Sequence, residues 1–349
     1  MTADVQPPTA SDLRTVLEEY GAITREALQD YIPKQEPRRY LYDLIADYPA
    51  RGGKMLRPSL CLATASVFGA SPQDAVLAAV SIELLHNALL VHDDIQDESD
   101  ERRGEPTLHA QWGVPLAINA GDAMGFFSLR PLLENSLRMG SRMTLRIFEE
   151  ADRMAQESAE GQALELGWQH DNRGDLSDTD YMEMVLKKTC WLTTIYPLRI
   201  GALIGTRRAR MNLDPLLRFG FYLGAAFQIQ DDVLNLIGDA QYGKEIGGDI
   251  LEGKRSLILL HVMRESSVRQ RNAILKFLGR SRLERTPAEV ASIRAAMDEH
   301  GSILYARDVA RSMADAAHEA FQDAFGGLPE SRDLRFIEAL IDYVIEREL

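Results

Sequence analysis

The chain has 349 residues, 45% of them hydrophobic, with 53 acidic side chains against 39 basic ones and a formal net charge of −14. That balance excludes a general nucleic-acid binder, which needs clustered Lys and Arg to neutralise phosphates, so any anionic ligand must meet a local basic patch. Two cysteines, Cys61 and Cys190, exclude a disulfide framework and fit a reducing compartment.

The opening MTADVQPPTA lacks a basic n-region and an apolar h-region, and by composition residues 1–10 are expected to be disordered. No stretch reaches the ~18 uncharged apolar residues of a transmembrane segment, and a soluble, cytoplasmic protein is expected. Apolar positions then recur at helical spacing over residues 12–32, 59–70, 75–95, 181–205, 215–238 and 333–349. Turn signals at 69–72, 103–106, 172–174 and 242–248 punctuate these segments, and clean period-two runs are absent. The reading is an all-α chain. No Pro/Gly/Ser-rich linker divides it, so residues 11–349 are expected to form one domain of many helices.

The stretch HDDIQDESDERRGEPT places Asp93 and Asp97 four apart, one turn from each other on a helix, with Asp94 beside them. In an acidic protein such a run is usually a solvated helix end. Here the residues before it, LLHNALLV, are almost wholly apolar, so the carboxylates close a buried rod. Like charges at that spacing repel unless a cation bridges them, and hard oxygen ligands suit Mg²⁺. A second acidic pair, Asp231 and Asp232 in FQIQDDVLN, closes another apolar helical run. Two such ends facing each other across a cavity could clamp one diphosphate through several metal ions.

Cations stand where diphosphates would need them. Lys54 and Arg57 enter a helix after two glycines, Arg102 and Arg103 follow the first acidic motif, and His86 lies two turns before Asp93. Lys188 with Thr189, then Lys244 and Lys254, complete the set. Each alone reads as a solvated lysine or a core histidine; their joint occurrence with two acidic pairs is what points to phosphate chemistry.

Taken in order, GGKMLRP, HDDIQDESDERRGEPT, KKT and FQIQDDVLN…YGKEIGGDILEGK resemble the trans-isoprenyl diphosphate synthases, the polyprenyl synthetase family. The resemblance implies one large helical bundle around a central cavity, the isoprenoid synthase fold. It implies Mg²⁺ on Asp93, Asp97 and Asp231, three ions with substrate bound, with Asp94, Asp232 and Asp249 supporting them. Lys54, Arg57, His86 and Arg103 would bind isopentenyl diphosphate, while Arg102, Lys188 and Lys244 would hold the allylic diphosphate. Thr189 and Gln228 would border the reacting centre, and Lys254 would complete the basic rim. A homodimer is implied by the same analogy.

The second motif departs from DDxxD, ending in Asn235, whose amide oxygen brings no charge. Chain length follows from helix geometry: one turn rises ~5.4 Å, on the order of one isoprene unit. A tail running back from Asp93 would pass Ala88 and Leu89, then Leu85 and Leu84 a turn deeper. No aromatic residue closes that path, so geranylgeranyl diphosphate is the expected product, with farnesyl and longer chains as alternatives. A terpene cyclase leaves GGKMLRP unused, and a non-catalytic regulatory subunit has no need of the intact acidic residues.

Overall fold

The computed structural model describes residues 10–238 and 247–346. Helices α1 (Ala10–Gln29), α2 (Asp43–Ala50), α3 (Leu56–Val67) and α4 (Pro72–Gln96) come first, and a π-helical turn, Arg38–Tyr42, leads into α2. After a two-residue hairpin, β1 (Glu101–Arg102) and β2 (Glu105–Pro106), follow α5 (Leu108–Trp112), α6 (Val114–Phe127), α7 (Leu129–Met139) and α8 (Ser141–His170). Helices α9 (Asp178–Val185) and α10 (Tyr196–Thr206) flank a π-helix, Leu186–Ile195, ahead of α11 (Asp214–Ile237). The chain ends with α12 (Gly248–Glu252), α13 (Leu257–Glu265), α14 (Val268–Leu278), α15 (Pro287–Glu299), α16 (Ser302–Phe325) and α17 (Arg332–Glu346).

The all-α expectation holds, and the hairpin is the one strand pair among the described residues. The expected disordered N-terminus lies almost wholly outside the described residues, since α1 already begins at Ala10.

Helix α4 is the structural centre. Ser71 caps it, its hydroxyl accepting from the Gln73 N–H while Asp74 reaches back to the Ser71 N–H, with Pro72 at the first turn. Apolar residues surround it on nearly every side, as a helix packed by neighbours on all faces requires. Helices α1, α3, α6 and α7 pack around it. By length and hydropathy α4 could span a membrane, yet its most apolar window is 61% buried inside the bundle, the mark of a core helix. The second layer is α11, packed against α16, α17 and the π-helix.

Residues 181–205, one helical segment by sequence, are continuous but wind as a π-helix over ten residues. Such bulges gather at functional sites. Here the π-helix is closely packed on two sides. The Thr194 hydroxyl donates to the Gly220 carbonyl at 2.6 Å, tying the π-helix to α11. On the other side Gly161 of α8 meets the backbone carrying Lys188; a Cβ there would stand 2.2 Å from the Lys188 nitrogen. A buried pair, Arg199 Nε to Glu150 Oε2 at 2.6 Å and Nη2 to Oε1 at 2.9 Å, ties α10 to α8 beyond it.

Gly161→Ala should therefore overpack the α8/π-helix contact and cost about 1–3 kcal/mol. A lowered melting temperature in a thermal scan is the expected result; an unchanged one would contradict the close approach.

Candidate active site

A cavity of about 570 Å³ opens between α4, α8, the π-helix and α11. The α4 wall presents Leu85, Leu89 and Asp93, spaced four apart on one helix face. Asp93 Oδ1 accepts from Lys188 Nζ at 3.3 Å and Gln162 Nε2 at 3.5 Å, and Arg102 lies 4.0 Å away. Burial alone would push its carboxyl up, but Lys188, Lys254 and Arg102 outweigh that and hold it well below the usual carboxylate range. Asp97 is the C-cap of α4 and pairs with Lys254 Nζ at 2.9 Å. There burial wins: despite Lys254, with Asp93 and Glu252 adding repulsion, its carboxyl is pushed up to about 7.

Asp94 does not share this outlook. It is fully buried, accepts the Tyr48 hydroxyl at 2.5 Å, and receives Arg102 Nε at 2.9 and 3.2 Å on its two oxygens. The resemblance gave Asp94 a role supporting the metal; in the structure it is the anchor of Arg102, which lines the cavity. Residues 93 and 94 are about 100° apart on the helix, and Asp94, unlike Asp93, lies off the cavity wall.

The second acidic end repeats the division. Asp231 lines the cavity. Asp232, also at its wall, is buried, accepts the Tyr181 hydroxyl at 2.7 Å and Gln228 Nε2 at 2.7 Å, and is pushed up to about 8 by burial and by Asp249. Gln228 Oε1 in turn accepts the Thr189 hydroxyl at 2.9 Å. One chain of hydrogen bonds thus fixes Thr189, Gln228, Asp232 and Tyr181. Asn235 is buried and lies off the cavity wall, its Oδ1 accepting the Asp249 N–H at 3.1 Å.

Among the cations, Lys188 also pairs with Glu165, and Lys254 with Glu252 at 2.7 Å and Asp249 at 3.7 Å. Arg57 Nη2 donates to Thr193 Oγ1 at 2.8 Å; burial lowers its guanidinium to about 10. Burial and Arg57 lower His86 to about 4, so its ring is neutral at pH 7. Arg57 Nε and His86 Nδ1 are buried polar atoms without a hydrogen-bond partner, His86 Nδ1 standing 3.7 Å from the Glu83 carboxylate. Arg103 Nη1 is held by the carbonyls of Tyr48, at 3.1 Å, and Gly52. A Cβ on Gly53, at φ +145°, would stand 2.9 Å from Arg103 Nη2, so this docking needs glycine. Exposed Lys54 sits on the same loop, 6.0 Å from the Tyr343 ring. Both Lys54 and Arg103 lie outside the lining of the cavity. Lys244 lies outside the described residues.

Ala88 is a correction. It is buried on the opposite side of α4, in a cluster with Tyr48, Val91, Ala117 and Met124, and does not line the cavity, whereas Leu85 and Leu89 do. Leu84 packs away as well, with Leu28 and Val80. Sequence reasoning also missed Glu83, which sits 3.7 Å from His86, and Gln162, Glu165, Tyr181 and Thr193. The segment GQALE on α8 was the available signal for two of them, but one glutamate among 53 acidic residues has no distinguishing spacing.

A family model described as polyprenyl synthetase matches residues 38–297. The short chain isoprenyl diphosphate synthase of Methanothermobacter thermautotrophicus is 34% identical over 326 residues, 93% of this chain and 94% of that protein. A geranylgeranyl pyrophosphate synthetase from Pyrococcus horikoshii superposes with a TM-score of 0.84 at 33% identity, covering 97% of this chain and 99% of its own. A polyprenyl synthase from Caulobacter crescentus, solved with calcium and isoprenyl diphosphate, gives 0.83 at 28% identity, over 98% and 99%. With its two acidic helix ends and its cations around one cavity, the chain belongs to the polyprenyl synthetase family, the trans-isoprenyl diphosphate synthases, and is a prenyltransferase.

Proposed function

We propose that this cavity condenses isopentenyl diphosphate with an allylic diphosphate to give geranylgeranyl diphosphate. The observation that carries the reading is the meeting of Asp93, Asp231, Arg57, Arg102, Lys188 and Lys254 at one end of a cavity whose wall continues in Leu85, Leu89, Met154 and Leu192. Geranylgeranyl is chosen because Leu85 and Leu89 leave the α4 side of the wall without a Phe, Tyr or Trp, and because the Pyrococcus horikoshii protein carries that name.

The donor set fits Mg²⁺. Among the described residues no three acidic, His or Cys side chains form a ready cage, and Mg²⁺ takes one or two carboxylates beside phosphate oxygens and water. Asp93, Asp97 and Asp231 would hold it, three ions with substrates present. Held by these carboxylates, the ion would supply Lewis-acid neutralisation of the diphosphate charge. Lys188, Lys254 and Arg102 hold the allylic diphosphate, with Lys244 as a further candidate, and oppose the charge that grows on it as the C–O bond breaks and the electron pair leaves with diphosphate. Arg57, His86 and Arg103, with Lys54 at the rim, hold isopentenyl diphosphate so that its double bond attacks the allylic carbon. Thr189 and Gln228, fixed through Asp232 and Tyr181, border the reacting centre. The departed diphosphate takes the proton lost from the new chain. Apolar walls keep water from the cation.

The same reading takes residues 11–349 as one domain, supported by α1 and α17 both packing on α3. It takes the protein as cytoplasmic, supported by two free, buried thiols. It also takes it as a homodimer. Phe126 on α6 is 72% exposed and Leu137 on α7 is 89% exposed, and such surface marks an interaction site when contiguous.

Incubation with Mg²⁺, labelled isopentenyl diphosphate and each of dimethylallyl, geranyl and farnesyl diphosphates should give one product of four isoprene units; no condensation with any starter would overturn the reading. In the same assay Leu89→Phe should shift the product one unit shorter. Ala88→Phe should instead leave product length alone and destabilise the fold by about 1–3 kcal/mol; the reverse pattern would invert the assignment of the α4 faces. For the dimer, Phe126→Asp with Leu137→Asp should halve the mass seen by sedimentation, and a wild-type protein that already sediments as a monomer would remove it.

A further inference from the structure

Asn235 stands where the second acidic motif would carry its third carboxylate, one turn after Asp231. Its side chain is committed elsewhere. The segment after α11 returns to it twice: the Gly247 N–H donates to the Asn235 carbonyl at 2.8 Å, and the Asp249 N–H donates to Asn235 Oδ1 at 3.1 Å. Gly247, at φ +76°, is the N-cap of α12 and has no side chain to satisfy the first turn. Asn235 supplies the missing oxygen from a neighbouring helix, the same service an N-cap side chain gives within its own helix.

What hangs on this contact reaches the other acidic end. The Lys254 N–H donates to the Asp249 carbonyl at 2.9 Å, and Lys254 Nζ reaches Asp97 at 2.9 Å. Asn235, Asp249, Lys254 and Asp97 therefore form one connected path from the end of α11 to the end of α4.

We infer that Asn235 is a positioning residue, whose amide oxygen holds Asp249 and, through it, Lys254 in register with Asp97, and that it is not part of a metal-ligand set. An amide suits the task because it offers the acceptor without adding a charge beside Asp231, Asp232 and Asp249, where a further carboxylate would raise repulsion. The inference rests on the proposed reaction only in what Lys254 is for; the contact itself is independent of activity.

The test compares Asn235→Ala, which removes the acceptor, with Asn235→Asp, which keeps an oxygen and adds charge. Amide hydrogen exchange on the protein without ligand or metal should show residues 247–254 losing protection in N235A and retaining it in N235D. In turnover, N235A should raise the KM for the allylic diphosphate about tenfold, the scale of one well-placed hydrogen bond, with kcat less affected. N235D should restore that KM at an unchanged half-saturating Mg²⁺ concentration. Wild-type protection and KM in N235A would overturn the inference. So would a several-fold lower Mg²⁺ requirement in N235D, the signature of a ligand position, and that arm decides the matter if N235A does not fold. Loss of condensation in the unmutated protein would refute the proposed reaction, while the exchange pattern would still judge the contact.

Discussion

Mutual repulsion among buried carboxylates is the constraint on which the rest of the site depends. Asp93 and Asp97 close α4, Asp231 and Asp232 lie in the last two turns of α11, and Asp249, Glu165 and Glu252 stand beside them. Such a set is tolerable only with cations held among them, since removing one partner of a buried pair leaves an uncompensated charge worth about 3–5 kcal/mol. Two lysines supply most of the balance, Lys188 between Asp93 and Glu165, and Lys254 between Asp97, Asp249 and Glu252. Their placement explains otherwise arbitrary features of the fold. The π-helix and Gly161 bring the Lys188 backbone against α8, and the short helix α12 holds Lys254 beneath α4.

Each acidic pair is split between two tasks. In both, one residue turns to a tyrosine, Asp94 to Tyr48 and Asp232 to Tyr181, while its neighbour, Asp93 or Asp231, lines the cavity; Asp232 lies at the wall as well. The turned residue also fixes a polar group at the cavity wall, Arg102 in one case and Gln228 in the other. A pair of adjacent aspartates is thus one outward group and one anchor. The anchors protect geometry, and the outward groups are left for cations.

How much of this was legible in the residues depended on whether a local pattern carried it. The apolar rods ending in DD, and the cations near them, could be read because charge after a long apolar run is rare without a partner. The face of α4 could not be read. That helix is apolar almost all round, so its pattern has no polar side from which to set the phase, and Ala88 was put on the cavity side when it packs under α6. The π-helix was invisible for a related reason: the extra residue in its turn shifts register without changing composition. Glu83, Glu165 and Tyr181 became visible only when packing brought them to their partners. Asn235 was noticed as a departure from the motif, but its partner lies fourteen residues on, across segments no periodicity connects.

The proposed reaction requires that two acidic helix ends hold cations jointly with a diphosphate in one cavity. Crystals grown with Mn²⁺ in place of Mg²⁺ and a non-hydrolysable allylic diphosphate analogue would test it through anomalous scattering at the manganese edge. Manganese peaks are expected between the analogue's phosphates and the carboxylates of Asp93 and Asp231, with Asp94 and Asp232 still on their tyrosines. Manganese bound elsewhere, or a diphosphate seated with no metal between it and these carboxylates, would contradict it.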